Sequence, residues 1–379
     1  MDKTVYTTLY MIKQILIDGT TISKRIDGLS QYILNVVSRL PQRADRRYSI
    51  VVRPDECPAE YCELWRQKGI EILTAAIDPI GPWREIKFRR WLRLQRPFDA
   101  ALVPSNQYPL SLSIPAVYVV HDLIYERYVG QLGKWGVLKR KWLHYNVAKG
   151  LQKARTIVAV SEFTKREILR CHPQTVAHKI HVVYEGWEHL QACCQQAPLN
   201  LPFREYILYI GSSRRHKNLQ GLINAMRIAS DHLPEGTGLV IAGDDRMLNA
   251  RQRAQIAAMK GKIITTGWLS QEALNYCYAR SQAVIFPSLC EGFGIPVLEA
   301  FYFRKPILLS NTSSLPEVAK EAAVYFDPNQ PVDMALAIIH ALQMSETEQT
   351  EWIRKGEQRL KTFSWQKTAD EIDRLLTEL

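Results

Sequence analysis

The sequence predicts an α/β protein built from two Rossmann-like domains that face each other across a cleft. Three observations carry this expectation. The chain has 379 residues, more than one domain usually holds. Short, continuous apolar runs alternate with helical patterns through both halves, as parallel strands buried on both faces do. Between the halves, Gln191 to Pro202 is polar, carries Pro198 and Pro202 and has no periodicity, which reads as a linker. The expected division is an N-terminal domain over 1–190, a linker over 191–202, a C-terminal domain over 203–360, and a closing helix over 361–379 that crosses back to the first domain.

In the first half the strand segments are Ile12–Ile17, Tyr48–Val52, Ile70–Leu73, Ala100–Val103, Ala116–Val120, Thr156–Val160 and Ile180–Val183. Gly28 to Leu40 reads as a helix, with Leu29, Ile33, Val36, Val37 and Leu40 on one face. Ser161 is placed to cap a helix running through Leu169. The apolar start from Val5 carries Lys13, Gln14 and hydroxyl residues, with no small-residue cleavage site after it. It reads as an extension plus a strand opened by Met11, not as a signal peptide. Residues 1–10 read as a tail or a misassigned start.

The second half repeats the alternation. Tyr206–Ile210, Leu239–Ala242, Ile263–Thr265, Ala283–Phe286 and Pro306–Leu309 are strands; Asn218–Ala229, Ala250–Met259, Gln271–Ala279 and Pro296–Tyr302 are helices. Ligands of such sheets bind outside the carboxyl ends of the strands, so the loops there are the places to look for chemistry.

Composition narrows the functional classes. No apolar run reaches the ~18–20 residues needed to span a bilayer. The seven cysteines are odd in number and form no Cys-x-x-Cys pair; this argues against a disulfide framework or a cysteine-based zinc site and for a reducing, cytoplasmic compartment. Cys193-Cys194 carries no chemistry on adjacency alone. The net charge of +11 fits nucleic acid, an anionic membrane or phosphorylated ligands. The charge is clustered. Trp83 to Arg96 holds Arg84, Lys87, Arg89, Arg90, Arg93 and Arg96 against Glu85, and a second group joins Lys134, Lys139, Arg140, Lys141 and Lys149 with Trp135 and Trp142. In the first stretch Trp83, Phe88, Trp91 and Leu92 suit a membrane interface while the cations meet headgroups; a basic helix packed on the core is the competing reading.

The strongest motif is Ser288-Leu289-Cys290-Glu291-Gly292-Phe293-Gly294-Ile295-Pro296-Val297-Leu298-Glu299-Ala300, directly after an apolar strand. Gly292 and Gly294 permit a tight turn and close backbone approach to a ligand. Pro296 suits the first helical turn, whose exposed amides attract a diphosphate. Glu291 stands before the helix and Glu299 about one turn inside it, where carboxylates can accept hydrogen bonds from sugar hydroxyls.

This pattern resembles the signature of the family-four retaining glycosyltransferases of GT-B fold (glycosyl transferases group 1). The resemblance extends to Tyr209-Ile210-Gly211 with His216-Lys217-Asn218-Leu219, to Gly267-Trp268-Leu269-Ser270, and to Ser313-Ser314-Leu315-Pro316-Glu317-Val318-Ala319. It also takes in Val120-His121-Asp122-Leu123, Val158-Ala159-Val160-Ser161-Glu162-Phe163 and Phe363-Ser364-Trp365. It covers nearly the whole chain from about Met11 and is patchy over Tyr48–Arg96 and the linker.

The resemblance implies an acceptor-binding first domain and a second domain that binds a nucleotide-sugar. Glu291 would face the transferred sugar, and the backbone of Gly292, Phe293 and Gly294 would cradle sugar and phosphate. Glu299 would hold the ribose. Lys217 would bind the diphosphate and stabilise the charge of the leaving group. Gly28, at the start of a first-domain helix, would offer an amide to the donor phosphate, and His121, at the cleft end of a strand, would contact the sugar. Relatives often carry a basic residue right after the loop glycine; here Ser212 stands there, and Arg214 or Arg215 would replace it. Arg304 and Lys320 stand where many relatives have glycine.

No Asp-x-Asp occurs, and Asp244-Asp245 reads as a turn; with Lys217 and a helix start at the diphosphate, the expectation is no metal and no cofactor beyond a GDP- or UDP-linked donor. The implied reaction is hexosyl transfer, mannose first, to a glycan or lipid-linked acceptor of lipopolysaccharide O-antigen or capsule, on the inner face of the cytoplasmic membrane. A front-face displacement is the expected route, with Glu291 as covalent nucleophile the alternative. Two further readings stand beside it: a synthase of storage or soluble glycoside on the same fold, and a basic polyanion- or nucleic-acid-binding protein. The last lacks any recognisable nucleic-acid module.

Overall fold

The computed structural model describes residues 12–128, 136–192, 197–243, 245–259 and 261–379. Residues 1–10, Met11, Lys134, Trp135, Cys193, Cys194 and Asp244, on which several sequence readings rest, lie outside these ranges.

The first half runs β1 (Lys13–Asp18), α1 (Gly28–Arg39), β2 (Arg46–Val52), α2 (Ala59–Gln67), β3 (Glu71–Thr74), α3 (Pro82–Leu92), β4 (Ala100–Val103), β5 (Ala116–Val120), α4 (Ile124–Arg127), α5 (Gly136–Lys153), β6 (Thr156–Ala159), α6 (Glu162–Cys171) and β7 (Ile180–Val182). The second half runs β8 (Glu205–Ile210), α7 (Leu219–Ala229), β9 (Thr237–Ala242), α8 (Ala250–Ala258), β10 (Ile263–Gly267), α9 (Gln271–Arg280), β11 (Ala283–Phe286), α10 (Ile295–Tyr302), β12 (Ile307–Ser310), α11 (Leu315–Ala319), β13 (Val324–Phe326), α12 (Pro331–Gln343), α13 (Glu346–Leu360) and α14 (Trp365–Thr377).

Two sheets result, and every described strand pairing in them is parallel. The first has the order β3-β2-β1-β4-β5-β6-β7 and the second β10-β9-β8-β11-β12-β13. Central strands such as β4, β5, β11 and β12 are buried along their whole length, which is why their sequences are uninterrupted apolar runs. In each sheet the chain first builds outward on one side and then returns to build on the other. The crevice of such a sheet opens where this reversal occurs, between β1 and β4 in the first sheet and between β8 and β11 in the second.

Helix starts follow local chemistry. Asp27 accepts from Ser30 N at 2.8 Å to cap α1, and Ser161 accepts from Thr164 N at 3.0 Å to cap α6. α14 lies on α1, its apolar side buried through Trp365, Ala369, Ile372, Leu375 and Leu376. Asp373 fixes it to the first sheet. Its carboxylate, buried, receives Tyr48 Oη at 2.6 Å, Arg43 Nε at 2.7 Å and Arg46 Nη1 at 3.1 Å. Arg46 is also held by Asp45 and Thr377, at 3.1 and 3.0 Å from Nη2, so the loss of Asp373 would chiefly leave the buried Tyr48 hydroxyl and Arg46 Nη1 without their acceptor.

Strand and helix limits read from the sequence fall within a few residues of those observed. The long helix α5 was absent from that reading. Its buried residues Leu143, Asn146, Val147, Gly150 and Leu151 keep helical spacing, but the basic residues between them dilute the apolar stripe.

Candidate active site

The reversal point of the second sheet gathers the motif residues. Lys217 ends a tight turn after β8 and Glu291 lies in the loop after β11; because those strands are neighbours, the two loops touch. Leu289 N donates to His216 O at 2.7 Å, which clips the loops together. Lys217 Nζ lies 2.8 Å from Glu291 Oε1 and 4.9 Å above the Phe286 ring. The contact is an ion pair and not a hydrogen bond. Glu291 is 8 % exposed, so solvent screens this pair little. Burial pushes the adjacent His216 imidazole down to about 4 against the pull of Glu291, and burial lifts the Cys290 thiol to about 12. His216 is therefore neutral and Cys290 protonated near neutral pH.

The Glu291–Gly294 loop is held by hydroxyls. Ser314 Oγ donates to Glu291 O at 3.1 Å and to Phe293 O at 2.8 Å. Ser161 Oγ and Thr164 Oγ1, from the first half, donate to Gly292 O at 2.6 and 3.1 Å. The loop carbonyls are thus held alternately, those of Glu291 and Phe293 by the second half and that of Gly292 by the first. Gly294 is in the left-handed region at φ 111°. A Cβ on Gly292 would sit 1.8 Å from His121 O, so only glycine lets the halves approach this closely. The Phe293 ring is core, packed on Tyr184 and Phe363.

Glu299, inside α10, takes the Tyr278 hydroxyl on Oε2 and has His189 Nε2 3.8 Å from Oε1. Trp365 Nε1 donates to His189 Nδ1 at 3.0 Å, which leaves the proton on Nε2, facing Glu299. His189 was not singled out from the sequence. Its signal is tertiary, since it reaches the site only through α14 and the segment after β7.

The first half supplies Gly28 and His121. Gly28 starts α1, and a Cβ there would lie 3.9 Å from Ile295 Cδ1, so the starts of α1 and α10 face each other. His121 directly follows β5. Its Nε2 lies 3.1 Å from Pro104 O and its Nδ1 3.4 Å from Glu185 Oε1, with Tyr32 edge-on at 4.7 Å. Both ring nitrogens thus have protein partners. Glu185, buried, is another residue the sequence reading missed. Arg214 and Arg215 are exposed beside Lys217, at the rim of the pair. Glu317 of α11 accepts from Glu162 N at 2.7 Å and Phe163 N at 3.0 Å, so a carboxylate from the second half caps the first turn of α6.

The basic stretch Trp83–Arg96 needs correction in detail. Phe88 is fully buried, and Trp91 and Leu92 pack against the core. Arg84 is also fully buried, bound to Asp18 at the end of β1 and to Glu85. Helical periodicity turns these residues inward together. The exposed apolar residues are instead Ile80, Trp83, Ile86 and Leu94, the first two at 47 % and 69 %, and Arg89, Arg90 and Arg93 share that outer surface or its border. Among the described residues no helix is long and apolar enough to cross a membrane.

Two sheets of parallel strands, facing helix starts and a partly buried lysine–glutamate pair at the reversal point define a protein of GT-B glycosyltransferase type. The comparisons agree. The model "Glycosyltransferase Family 4" matches residues 26–188 and "Glycosyl transferases group 1" matches residues 196–359. With both halves matched, the chain belongs to the family-four, group 1 glycosyltransferases.

Among its relatives is O-antigen chain mannosyltransferase B of Escherichia coli, 29% identical over 237 residues, or 60% of this chain and 61% of that protein. O-antigen chain mannosyltransferase RfbU of Salmonella typhimurium is 20% identical across 87% of this chain and 92% of its own. The chain thus spans less than two thirds of the first of these relatives. Among solved structures, Anabaena HepE in complex with UDP and glucose aligns at a TM-score of 0.73 with 15% identity, covering 97% of this chain and 100% of its own. WaaG, a glycosyltransferase involved in lipopolysaccharide biosynthesis, aligns at 0.69 with 15% identity, covering 96% and 99%. At such identities the likeness is one of fold.

Proposed function

We propose that this chain is a retaining hexosyltransferase that moves mannose from a nucleotide-sugar to a glycan or lipid-linked acceptor of a bacterial surface polysaccharide. The observation that carries the reading is the Lys217–Glu291 pair, 2.8 Å apart and largely buried, beside the Gly292–Gly294 turn that leads into α10. Residues 1–190 form the acceptor-binding domain, 203–360 the donor-binding domain, 191–202 the linker and 361–379 the returning helix.

In this reading the donor diphosphate takes over Lys217 and meets the amides at the start of α10, with Gly28 opposite. Arg214 and Arg215 add charge at the rim. Freed from its pair, Glu291 accepts hydrogen bonds from the sugar, His121 faces the same sugar, and Glu299 takes the ribose hydroxyls. The anomeric carbon–oxygen bond to phosphate breaks as the acceptor hydroxyl attacks from the same face. The leaving phosphate receives the hydroxyl proton while Lys217 stabilises its growing charge. Because Lys217 and the amides supply that stabilisation, the reaction requires no divalent metal.

The mannosyltransferase relatives support mannose, with GDP as the expected carrier; the UDP-bound structural neighbour makes UDP the competing base. The exposed Ile80, Trp83, Ile86 and Leu94 with their arginines suit an anionic membrane and support a peripheral position on the inner face of the cytoplasmic membrane.

A thermal-shift panel of GDP, UDP and ADP and their common sugars, with and without EDTA, tests the donor site. The expected result is stabilisation by one base that survives EDTA and disappears in Lys217→Ala. Stabilisation that needs divalent metal, or none with any nucleotide, overturns the metal-free donor site.

A further inference from the structure

Away from the cleft, the first half holds a cluster that glycosyl transfer does not use. We propose that Glu126, His144 and His172 bind one divalent transition-metal ion of the zinc class. Glu126 comes from α4, His144 from the middle of α5, and His172 directly follows α6. Their ligand atoms all lie within 4.8 Å of one another. Donors about 2.0–2.1 Å from a tetrahedral zinc stand roughly 3.3 Å from each other, so small side-chain movements close the site.

A second observation points to a ligand. His172 is 1 % exposed, and neither ring nitrogen has a hydrogen-bond partner. Buried polar groups are nearly always partnered. Its ring stacks on His144 at 4.6 Å and 30°, beside the His144 Nδ1 to Glu126 Oε1 contact of 2.6 Å. Two imidazoles and a carboxylate with no partner for the buried ring form an incomplete coordination shell. Glu126, His144 and Cys171 also line an open depression of about 510 Å³, through which an ion enters and water completes its shell.

The surrounding charge decides which ion. A single carboxylate faces the site, and Arg140 Nη1 lies 3.8 Å from its other oxygen. Arg127 and Arg170 are both engaged by Glu167. Electrostatic attraction is therefore weak, and affinity rests on the imidazole nitrogens, which favour zinc-like ions over magnesium or calcium. The ion would tie α4 and α5 to the end of α6. Since α4 begins just after His121 and Asp122, where the first half meets Gly292, the site braces that side of the cleft from behind.

The test is isothermal titration of the EDTA-treated, dialysed full chain with zinc chloride and with magnesium chloride. Cobalt(II) absorption serves as an independent readout of nitrogen coordination. The proposal expects one equivalent of zinc, no magnesium binding, and loss of at least about tenfold in zinc affinity in Glu126→Gln and His144→Ala, with the cobalt bands lost in His144→Ala. His172→Ala should abolish binding. If that variant does not fold, the partly exposed His144→Ala decides, with circular dichroism as the folding control. No saturable zinc binding, or binding unchanged in His144→Ala and Glu126→Gln, overturns the site.

Discussion

The two sides of the cleft hold their charges differently. On the C-terminal side Lys217 meets Glu291, Glu299 meets Tyr278 and His189, and the loop carbonyls meet serine and threonine hydroxyls, all at or near the reversal point. On the N-terminal side Arg84 meets Asp18 at the end of β1 and His121 meets Glu185, but the larger charge networks, Arg127–Glu167–Arg170 and Arg46–Asp373, stand elsewhere, and the outer helices leave Trp83, Ile86 and several arginines to solvent. A nucleoside diphosphate is a fixed shape with fixed charge, so a packed, preformed set of partners suits it. An acceptor glycan and a membrane are extended, and a broad basic and apolar surface suits those.

The largest effect expected is at the central pair. Lys217→Ala should lower kcat/KM by about 10³-fold, or ~4 kcal/mol of transition-state stabilisation, with native circular dichroism. A loss below tenfold in steady-state transfer assays would mean that the pair is structural, and the contrast between the two sides would fail.

Gly292→Ala comes next. Its methyl would fall 1.8 Å from His121 O, so the halves must move apart by about 1 Å or more, a displacement that costs about 10²-fold in rate. Steady-state kinetics with small-angle scattering checks both parts: slower turnover and a more open chain. Unchanged scattering and turnover would show that this contact does not set the closure.

On the other side, Glu167→Gln should affect stability and leave kcat alone. Burial would raise the Glu167 carboxyl, but hydrogen bonds from Arg170 and Arg127 outweigh it and hold it at about 2. A depressed carboxylate stabilises the fold above its unfolded pKa and loses that effect as pH falls through the folded value. Urea unfolding should therefore find the variant about 1–2 kcal/mol less stable at pH 7, after discounting for the exposed guanidiniums. The difference should shrink between pH 5 and pH 2. A difference that persists at pH 2 would show that the cost is packing.

The smallest effect is on membranes. Trp83→Ser with Ile86→Ser should weaken binding to phosphatidylserine or phosphatidylglycerol vesicles by about tenfold, read by co-sedimentation, while soluble-acceptor turnover stays constant. Equal binding by variant and wild type would remove the membrane role from α3.

Much of the candidate site in the second half was legible because its residues lie close in sequence. Glu291, Gly292, Gly294 and Glu299 sit in one strand–loop–helix segment, where glycine and proline positions report the turn directly. Lys217 was readable through its own loop. The partners that fix these residues were not. His189, Tyr278 and Glu185 come from elsewhere in the chain, and no local pattern marks a side chain whose role is to meet a distant one. The same limit explains α3: its basic and aromatic composition was visible, but which of its residues face the core was not, and burial of Arg84 depends on Asp18 at the end of β1.

The sequence by itself determined the alternation of strands and helices, the parallel character of the sheets and the glycine-bearing turn between β11 and α10, because each follows from local periodicity and backbone preference. Only the tertiary structure decided that Lys217 pairs with Glu291, that Gly292 lies against His121, and that two histidines and a glutamate from separate segments come together, one of them a buried ring without a partner. Those contacts depend on strand order and helix packing, which bring together residues that the chain keeps far apart.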